Sequence, residues 1–153
     1  MTSDDAHERV IITNRKALHD YEILDRLEAG IALKGTEVKS IRQGGANLQD
    51  GYAMIRNGEV WLIGMHINPF EKGNINNHDP KRDRKLLLHK KEIRKLVGRT
   101  SEKGLALIPL SVYFKDNIVK IELGIGRGKK SYDKREAIAR REVERRLRRE
   151  YSR

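Results

Sequence analysis

The chain has 153 residues, no cysteine and a formal net charge of +11. This length accommodates one domain with a hydrophobic core, and the lack of cysteine excludes disulfides, thiol catalysis and thiolate metal sites. No apolar run reaches membrane-spanning length and no export signal is recognisable, so we expect a cytoplasmic protein without a membrane partner. A sequence pI near 10.0 favours an anionic partner, and nucleic acid is the leading candidate.

In chain order, residues 1–9 are polar and are expected to be flexible. Residues 10–33 contain alternating apolar positions and predict two extended stretches. Residues 36–43 have helical spacing, with Thr36 as the expected cap and the pair Gly44-Gly45 as the stop. A short helix after two strands is therefore predicted for this part of the chain.

Two β-hairpins are predicted from their turn residues. Asn57-Gly58 separates two apolar runs within 51–65, and this dipeptide is the strongest short-range hairpin signal. Asp116-Asn117 separates two longer apolar runs within 105–125. Both segments therefore predict antiparallel strand pairs.

Between the hairpins, residues 68–80 predict a long polar surface loop, and 83–97 predict an amphipathic helix ended by Gly98. Six Lys/Arg residues lie around the leucines of 81–91. They indicate either the solvated face of a core helix or a phosphate site at a helix N-terminus.

The predicted fold is mainly β with helices: an antiparallel β-barrel of the oligonucleotide-binding type with about three helices and a basic C-terminal tail. Other small barrels and α+β sheets share this order of elements. The barrel domain is expected to span 10–126.

Residues 127–153 hold 12 Arg/Lys against 5 Asp/Glu, so +7 of the net charge belongs to this segment. Glu precedes Arg by four positions at three places, which favours a helix, but the apolar stripe from Ala139 to Tyr151 is narrow. We predict a tail that is disordered when free and helical against an anionic partner. A solvated helix attached to the barrel is the alternative.

The sequence gives little support for catalysis. The five histidines lack metalloprotease spacing, and 124–130 lacks the spacing of a phosphate-binding loop. His78-Asp79-Pro80 is interpreted as a turn in which Asp79 caps a following helix, with a metal site or general acid as the alternative. We expect no catalytic residue, no metal and no cofactor; a hydrolase or ligase that uses His78 and Asp79 is the third class of function considered.

Read from the residues alone, RNA contacts are open to two interpretations. Lys34, Lys39 and Arg42 recur at helical spacing and form either ordinary surface or one wall of an RNA groove. Tyr52 follows a glycine at a predicted strand start, which makes it the best single candidate for stacking on a base.

Several blocks together resemble the family of small protein B, the SsrA-binding protein of bacterial trans-translation. G-T-E-V-K-S at 35–40, R-K-L-L-L at 84–88 and G-K-K…D-K-R within 128–135 are the most specific of them. Further matches lie at 14–17, 27–34, 46–48 and 78–80, in order and without a large gap. Beyond Arg135 the sequence departs from the family pattern, and only its charge and helical pattern are predicted.

The resemblance implies an oligonucleotide-binding barrel that binds the tRNA-like domain of tmRNA, one copy per tmRNA, in place of the missing anticodon arm. Together with the elongation factor that delivers aminoacyl-tRNA, members of the family accompany alanylated tmRNA to stalled ribosomes. The tail then lies as a helix in the empty mRNA channel, and the factor itself catalyses no reaction. A generic basic barrel protein of the ribosome, or a ribosome-associated RNA chaperone, is the alternative.

Residue roles follow from the motif positions. The implied tmRNA contacts are Asn14, Glu28, Lys39, Arg42, Asn47, Tyr52, Arg84, Lys85, Leu87 and Lys120. The implied contacts with the decoding centre and mRNA channel are Lys129, Lys130, Tyr132, Asp133, Lys134 and Arg135. In this scheme the basic side chains provide salt-dependent attraction, whereas the Glu28 carboxylate accepts from a base or sugar and provides specificity.

Overall fold

The computed structural model describes residues 8–71, 77–102 and 104–129. Within them the chain forms nine strands and three helices. In chain order these are β1 Glu8–Thr13, α1 Arg15–Asp20, β2 Tyr21–Ile31, α2 Gly35–Arg42, β3 Ala46–Asn47, β4 Tyr52–Arg56, β5 Glu59–Ile63, β6 His66–Ile67, β7 Arg84–Leu87, α3 Lys90–Thr100, β8 Leu105–Lys115 and β9 Ile118–Gly128.

The strand β8 closes the sheet into a ring because both of its edges are paired. One edge pairs with β9 along its whole length, and the other pairs with β1 and β4. The order β8-β4-β5-β7-β2-β9 then returns to β8, with every pairing antiparallel. The predicted antiparallel barrel with three helices is confirmed.

The ends of the barrel differ slightly from the predicted boundaries. β1 begins at Glu8, two residues before the expected start of the domain. β9 continues to Gly128, two residues beyond the expected end, because its last residue pairs with Tyr21. Arg127 and Gly128, which were predicted to open the tail, therefore belong to the barrel.

The core fills the ring with aliphatic side chains from alternate strand positions. Residues such as Val60, Leu62 and Ile121 have no exposed surface, while their strand neighbours face outward. Ile41 of α2 and Leu96 of α3 join the same cluster. Each fully buried aliphatic side chain stabilises the fold by about 1.5–3 kcal/mol relative to an exposed one.

A smaller apolar cluster holds α1 against the barrel. Ala17 packs with Ile108 and Leu110 of β8, and Ile23 lies alongside. Gly124 of β9 leaves room for the Leu110 side chain of this cluster, since a Cβ there would lie 2.8 Å from Leu110 Cδ1.

Both predicted hairpins are confirmed, and their turns require backbone conformations that few residues adopt. Asn57 and Gly58 have φ angles of +52° and +74°, and Asp116 and Asn117 have φ angles of +49° and +67°. Two consecutive positive φ angles characterise the type I′ turn, whose twist matches that of the paired strands.

The expectation of two extended stretches over 10–33 was incomplete, because α1 lies between β1 and β2. Asn14 caps this helix, and its Oδ1 accepts from the Ala17 backbone N–H at 3.2 Å. An asparagine before Arg-Lys-Ala is a helix-start signal that strand alternation on both sides obscured.

The predicted helix over 83–97 was wrong in its first half. Arg84–Leu87 is strand β7, in which Arg84 and Leu86 are buried and Leu87 faces outward. α3 begins at Lys90 and continues through Gly98 to Thr100. The leucine run at 86–88 is compatible with the period of a helix and with that of a strand. It forms a strand because β7 fills the gap between β5 and β2 in the ring. One of the two interpretations of the basic residues of 81–91 placed a phosphate site at a helix N-terminus near residue 83, but no helix begins there, since α3 begins at Lys90.

The predicted helix near residues 36–43 is confirmed as α2, but its expected cap is not. The helix begins at Gly35, and the Lys34 backbone N–H donates to Glu37 Oε1 at 2.8 Å. Gly44 has a φ of +75° just after the helix, as the predicted glycine stop requires.

Glu37 joins α2 to the strand β7 through a buried ion-pair cluster. The side chains of Glu37 and Arg84 have no exposed surface, and Arg84 Nε lies 2.5 Å from Glu37 Oε2. Arg82 Nη2 lies 2.5 Å from the other carboxylate oxygen. Arg84 also donates to the carbonyl oxygens of Met65 and Pro80 at 2.7 and 3.1 Å. The cluster therefore fastens α2, β7 and the segments around Met65 and Pro80 to one another.

Burial raises the pKa of Glu37, but hydrogen bonds from Arg82, the Lys34 N–H and Arg84 lower it more, so the net pKa lies below the usual 4.5. A lowered native pKa means that the ionised carboxylate stabilises the fold above pH 4.5 and that this stabilisation is lost as the pH falls.

We predict that Gly124→Ala destabilises the protein by about 1–3 kcal/mol, because the added methyl group overpacks against Leu110. Gly98→Ala is the matched control: it lies in α3 with open space around its Cβ position, and should stabilise by about 0.5–1 kcal/mol. Urea unfolding of both variants measures the two effects, and equal stabilities would contradict the tight packing of Leu110 against Gly124.

We predict that Glu37→Gln lowers the free energy of unfolding by about 3–5 kcal/mol at pH 7, since it leaves Arg84 buried without its counter-charge. The difference from the parent should shrink as the pH falls below 4.5, because Glu37 of the unfolded parent then binds a proton that the native carboxylate binds only at lower pH. Glu59→Gln removes a half-exposed partner of Lys85 and should cost less than about 1 kcal/mol. Similar losses in the two variants would contradict the role given to the buried cluster.

Candidate RNA-binding surface

A surface groove of about 520 Å³ lies where β2, β7 and β9 meet, and we call it the β2–β7 groove. Its lining includes Glu28, Gly30, Leu87, Ile118 and Lys120. The ring brings them together because Gly30 pairs with Leu87 on one side and with Lys120 on the other. Three predicted contacts, Glu28, Leu87 and Lys120, therefore share one site.

The groove combines exposed apolar surface with charge of both signs. Leu87 is 50% exposed and Ile118 is 59% exposed, which is unusual for large aliphatic side chains. Lys120 supplies a cation and Glu28 a carboxylate in the same lining. Such a surface suits a ligand that offers both phosphates and unpaired base or sugar groups.

The carboxylate of Glu28 is held from one side. Tyr113 Oη donates to Glu28 Oε2 at 2.5 Å, and Lys115 Nζ lies 3.5 Å from the same oxygen. The neighbouring Glu122 is engaged by Arg26 at 2.7 Å. Glu28 is thus ordered by the protein and also exposed to solvent.

Lys39, Arg42 and Asn47 lie on α2 and on β3, and all three are exposed. The Arg42 guanidinium stacks over the Phe114 ring at 4.9 Å, which places it at the same end of β8 as Tyr113. Lys39 lies over Phe70 at 5.5 Å. Aromatic contacts of this kind hold the cations in place while leaving them accessible.

A second groove of about 310 Å³ lies between α1 and β4, and we call it the α1–β4 groove. Tyr52 lines it and is 52% exposed, together with Asn14, Lys16 and Tyr21. The position of Tyr52 is compatible with base stacking. Asn14 is only 5% exposed, and its amide donates to the carbonyls of Leu48 and Pro109. Its expected direct contact with RNA is corrected to a supporting role, because its polar atoms are already bonded.

Arg84 requires the same correction. Its guanidinium is fully buried and bonded to Glu37, so no RNA group reaches it. Its neighbour Lys85 is half-buried, lies on the outer face, and pairs with Glu59 at 3.1 Å. Arg84 therefore supports β7, whereas Lys85 and Leu87 present that strand to the surface.

The two grooves lie at opposite ends of β2. Tyr21, at its start, lines the α1–β4 groove, and Glu28, seven residues later, lines the β2–β7 groove. At about 3.3 Å per strand residue this separation is about 23 Å. Gly128 pairs with Tyr21, so the chain leaves β9 beside the α1–β4 groove.

Of the predicted contacts with the ribosome, only Lys129 falls within the described part of the chain, where it is exposed. Lys130, Tyr132, Asp133, Lys134 and Arg135 lie outside the described residues, as does the rest of the predicted tail.

His78 is a buried structural residue. Its Nε2 donates to the Ile67 carbonyl at 2.9 Å, and its Nδ1 lies 2.9 Å from Thr36 Oγ1. Asp79 Oδ1 accepts from the Lys81 N–H, so the predicted turn is present, but strand β7 follows it rather than a helix. Among the described residues, no group of three or more His, Asp or Glu side chains could hold a metal ion. The helices described are all too short or too polar to cross a membrane.

Residue-by-residue reading of the sequence missed Tyr113 and Ile118. Neither residue was among the predicted RNA contacts, but Tyr113 lies directly opposite Lys120 in the β8–β9 hairpin. With Asp116-Asn117 as the turn, pairing the residues of β8 and β9 outward from it gives the pair Tyr113–Lys120. The contact between Tyr113 and Glu28 cannot be derived from the turn, because the two residues lie 85 positions apart in sequence.

Known proteins similar to this chain agree on one family. The family model described as SmpB protein matches residues 11–153. The SsrA-binding protein of Carboxydothermus hydrogenoformans is 62% identical over 148 residues, which cover 94% of this chain and 99% of that protein. The SsrA-binding protein of Gloeothece citriformis is 56% identical over 150 residues, which cover 97% of each.

A solved structure described as "tmRNA-SmpB: a journey to the center of the bacterial ribosome" contains a chain with the same fold. The TM-score is 0.66 at 52% sequence identity, and the match covers 77% of this chain and 83% of that chain. With the family model matching from residue 11 to residue 153 and close relatives matching over nearly their full length, this chain belongs to the SmpB protein family.

Proposed function

We propose that this protein binds the tRNA-like domain of tmRNA and delivers it to stalled ribosomes for trans-translation. Its relatives are named SsrA-binding proteins, and a similar solved chain is described in a complex of tmRNA and SmpB with the ribosome. The observation that carries the proposal is the β2–β7 groove. It brings Glu28, Leu87 and Lys120 together from three separate parts of the chain.

The direct contacts with tmRNA in this proposal are Glu28, Lys39, Arg42, Asn47, Tyr52, Lys85, Leu87 and Lys120. Asn14 and Arg84 act from beneath the surface by holding α1 and β7. The basic side chains attract phosphates in a salt-dependent manner, whereas a carboxylate repels phosphates and can only accept from a base or sugar. Glu28 therefore contributes selectivity.

Strand geometry supports a division of labour between the barrel and the tail. The chain leaves β9 beside the α1–β4 groove, about 23 Å along β2 from Glu28. A tail that starts there can enter a separate channel while the β2–β7 groove holds RNA. In this proposal Lys129, Lys130, Tyr132, Asp133, Lys134 and Arg135 contact the decoding centre and mRNA channel.

The remaining parts of the proposal concern how the protein acts. It acts in the cytoplasm as a binding factor without catalytic activity, one copy per tmRNA. It meets the elongation factor that delivers aminoacyl-tRNA only through the tmRNA that both proteins bind.

We predict that Glu28→Gln lowers affinity for the tRNA-like domain roughly tenfold, because one acceptor facing the RNA becomes a donor. The amide oxygen still accepts from Tyr113, so thermal stability should change little. Binding is measured by filter retention or fluorescence anisotropy at about 0.15 M salt, with a structured RNA of equal length and random sequence as competitor.

Glu22→Gln is the matched control. Glu22 is exposed on β2, six residues before Glu28, where it pairs with Arg127 outside the β2–β7 groove. The affinity of the Glu22→Gln variant for the tRNA-like domain should equal that of the parent. Equal binding of tRNA-like and random RNA by the parent would instead favour a generic basic barrel protein.

We predict that removal of residues 136–153 leaves affinity for the tRNA-like domain nearly unchanged at about 0.15 M salt but abolishes peptide tagging on stalled ribosomes. The segment carries seven Arg/Lys against four Asp/Glu, so part of the non-specific binding at low salt is also lost. Reversing the charges of Lys134 and Arg135 in a full-length chain should likewise impair tagging without affecting RNA affinity. Tagging at the parental rate by the shortened protein would contradict a role of this segment in the channel.

A further inference from the structure

Tyr113 lies beneath the Glu28 carboxylate at the edge of the β2–β7 groove. It is only 8% exposed, so its own contact with a large ligand is small. Its hydroxyl donates to Glu28 Oε2 at 2.5 Å, and the ammonium of Lys115 lies 3.5 Å from that oxygen. The hydrogen bond from Tyr113 and the shortest distance from Lys115 both end on Oε2.

The other oxygen, Oε1, accepts no hydrogen bond from residues 8–71, 77–102 and 104–129. Glu92, the other carboxylate of this lining, accepts from the His89 N–H at 2.9 Å and belongs to the start of α3. Glu28 therefore offers a carboxylate of which one oxygen is occupied and one is available.

We propose that Tyr113 is a positioning residue for RNA recognition, which holds Oε2 of Glu28 so that Oε1 presents a single directed acceptor to a base amine or ribose hydroxyl. This inference rests on the proposed function, because it specifies how the same groove selects its ligand.

A phenol suits this task better than a second cation. It donates one short, directional bond and leaves the charge of the carboxylate intact, so phosphates are still repelled. Lys115 is less directional, and its ammonium also lies 3.9 Å from Glu8. Burial, together with the bond to Glu28, raises the pKa of Tyr113, so the hydroxyl remains a donor at neutral pH.

Prior ordering of Glu28 also reduces the entropic cost of binding. An unrestrained glutamate must lose its rotamer freedom when it meets the RNA, and this loss opposes binding. With Oε2 already bonded, this cost is met during folding. Tyr113 thus affects affinity without touching the RNA.

The test is a double-mutant cycle with the full-length protein and the isolated tRNA-like domain of tmRNA as the probe. Tyr113→Phe keeps the buried ring and removes only the hydroxyl, and should weaken binding roughly fivefold. In a Glu28→Ala background no carboxylate remains to be positioned, and the same change should have no further effect. The salt dependence of binding should be unchanged, because no phosphate contact is removed.

Lys115→Met is the second variant, and it gives an independent test should Tyr113→Phe fail to fold. It removes the other contact to Oε2 but keeps the phenol bond, so its effect should be the smaller one. Circular dichroism and thermal unfolding verify that each variant retains the fold.

Three results would overturn the inference: parental binding by Tyr113→Phe, an equal loss in the Glu28→Ala background, or a larger loss in Lys115→Met. The first two would leave the proposed function standing, provided that Glu28→Ala itself binds weakly. Parental binding by Glu28→Ala would instead remove the proposed RNA site and the inference together.

Discussion

The buried ion pair between Glu37 and Arg84 is the interaction on which the arrangement of the candidate RNA surface depends. Two charges without solvent contact persist only when each is fully bonded, and here the carboxylate accepts from Arg82, Arg84 and a backbone N–H. This requirement fixes α2 relative to β7. The two elements carry Lys39 and Arg42 on one side and Lys85 and Leu87 on the other. A buried ion pair therefore determines the positions of four residues that are proposed to contact RNA.

The closed ring adds a second constraint, because its long strands separate tasks in space. β2, β8 and β9 each span eleven residues, and the β2–β7 groove lies near one end of β2 while the chain exits at the other. Seven strand residues separate Tyr21 from Glu28, which corresponds to about 23 Å. The barrel can therefore act as a spacer between the surface proposed to hold tmRNA and the tail proposed to enter the ribosome.

In the proposed function, different side chains of this surface supply selectivity and attraction. Exposed cations such as Lys39 and Arg42 are kept in place by aromatic rings and serve any nucleic acid. Glu28, held from below by Tyr113, opposes phosphates and favours a ligand that can donate. A basic protein gains discrimination more readily from one fixed carboxylate than from further cations, because cations do not distinguish one phosphate backbone from another.

The sequence by itself determined the turn-defined hairpins, the glycine-stopped helix α2, the basic tail and the family. These depend on local chemistry or on motif order: Asn57-Gly58 needs no distant partner to favour a type I′ turn. Only the tertiary structure decided that Arg84–Leu87 is a strand, that Asn14 and Arg84 are buried, and that Tyr113 meets Glu28. The leucine run fits the period of a helix as well as that of a strand. Burial of Arg84 depends on the carboxylate of Glu37, 47 residues away in sequence. These features follow from closure of the barrel, which depends on contacts between residues far apart in sequence and so cannot be read from a local pattern.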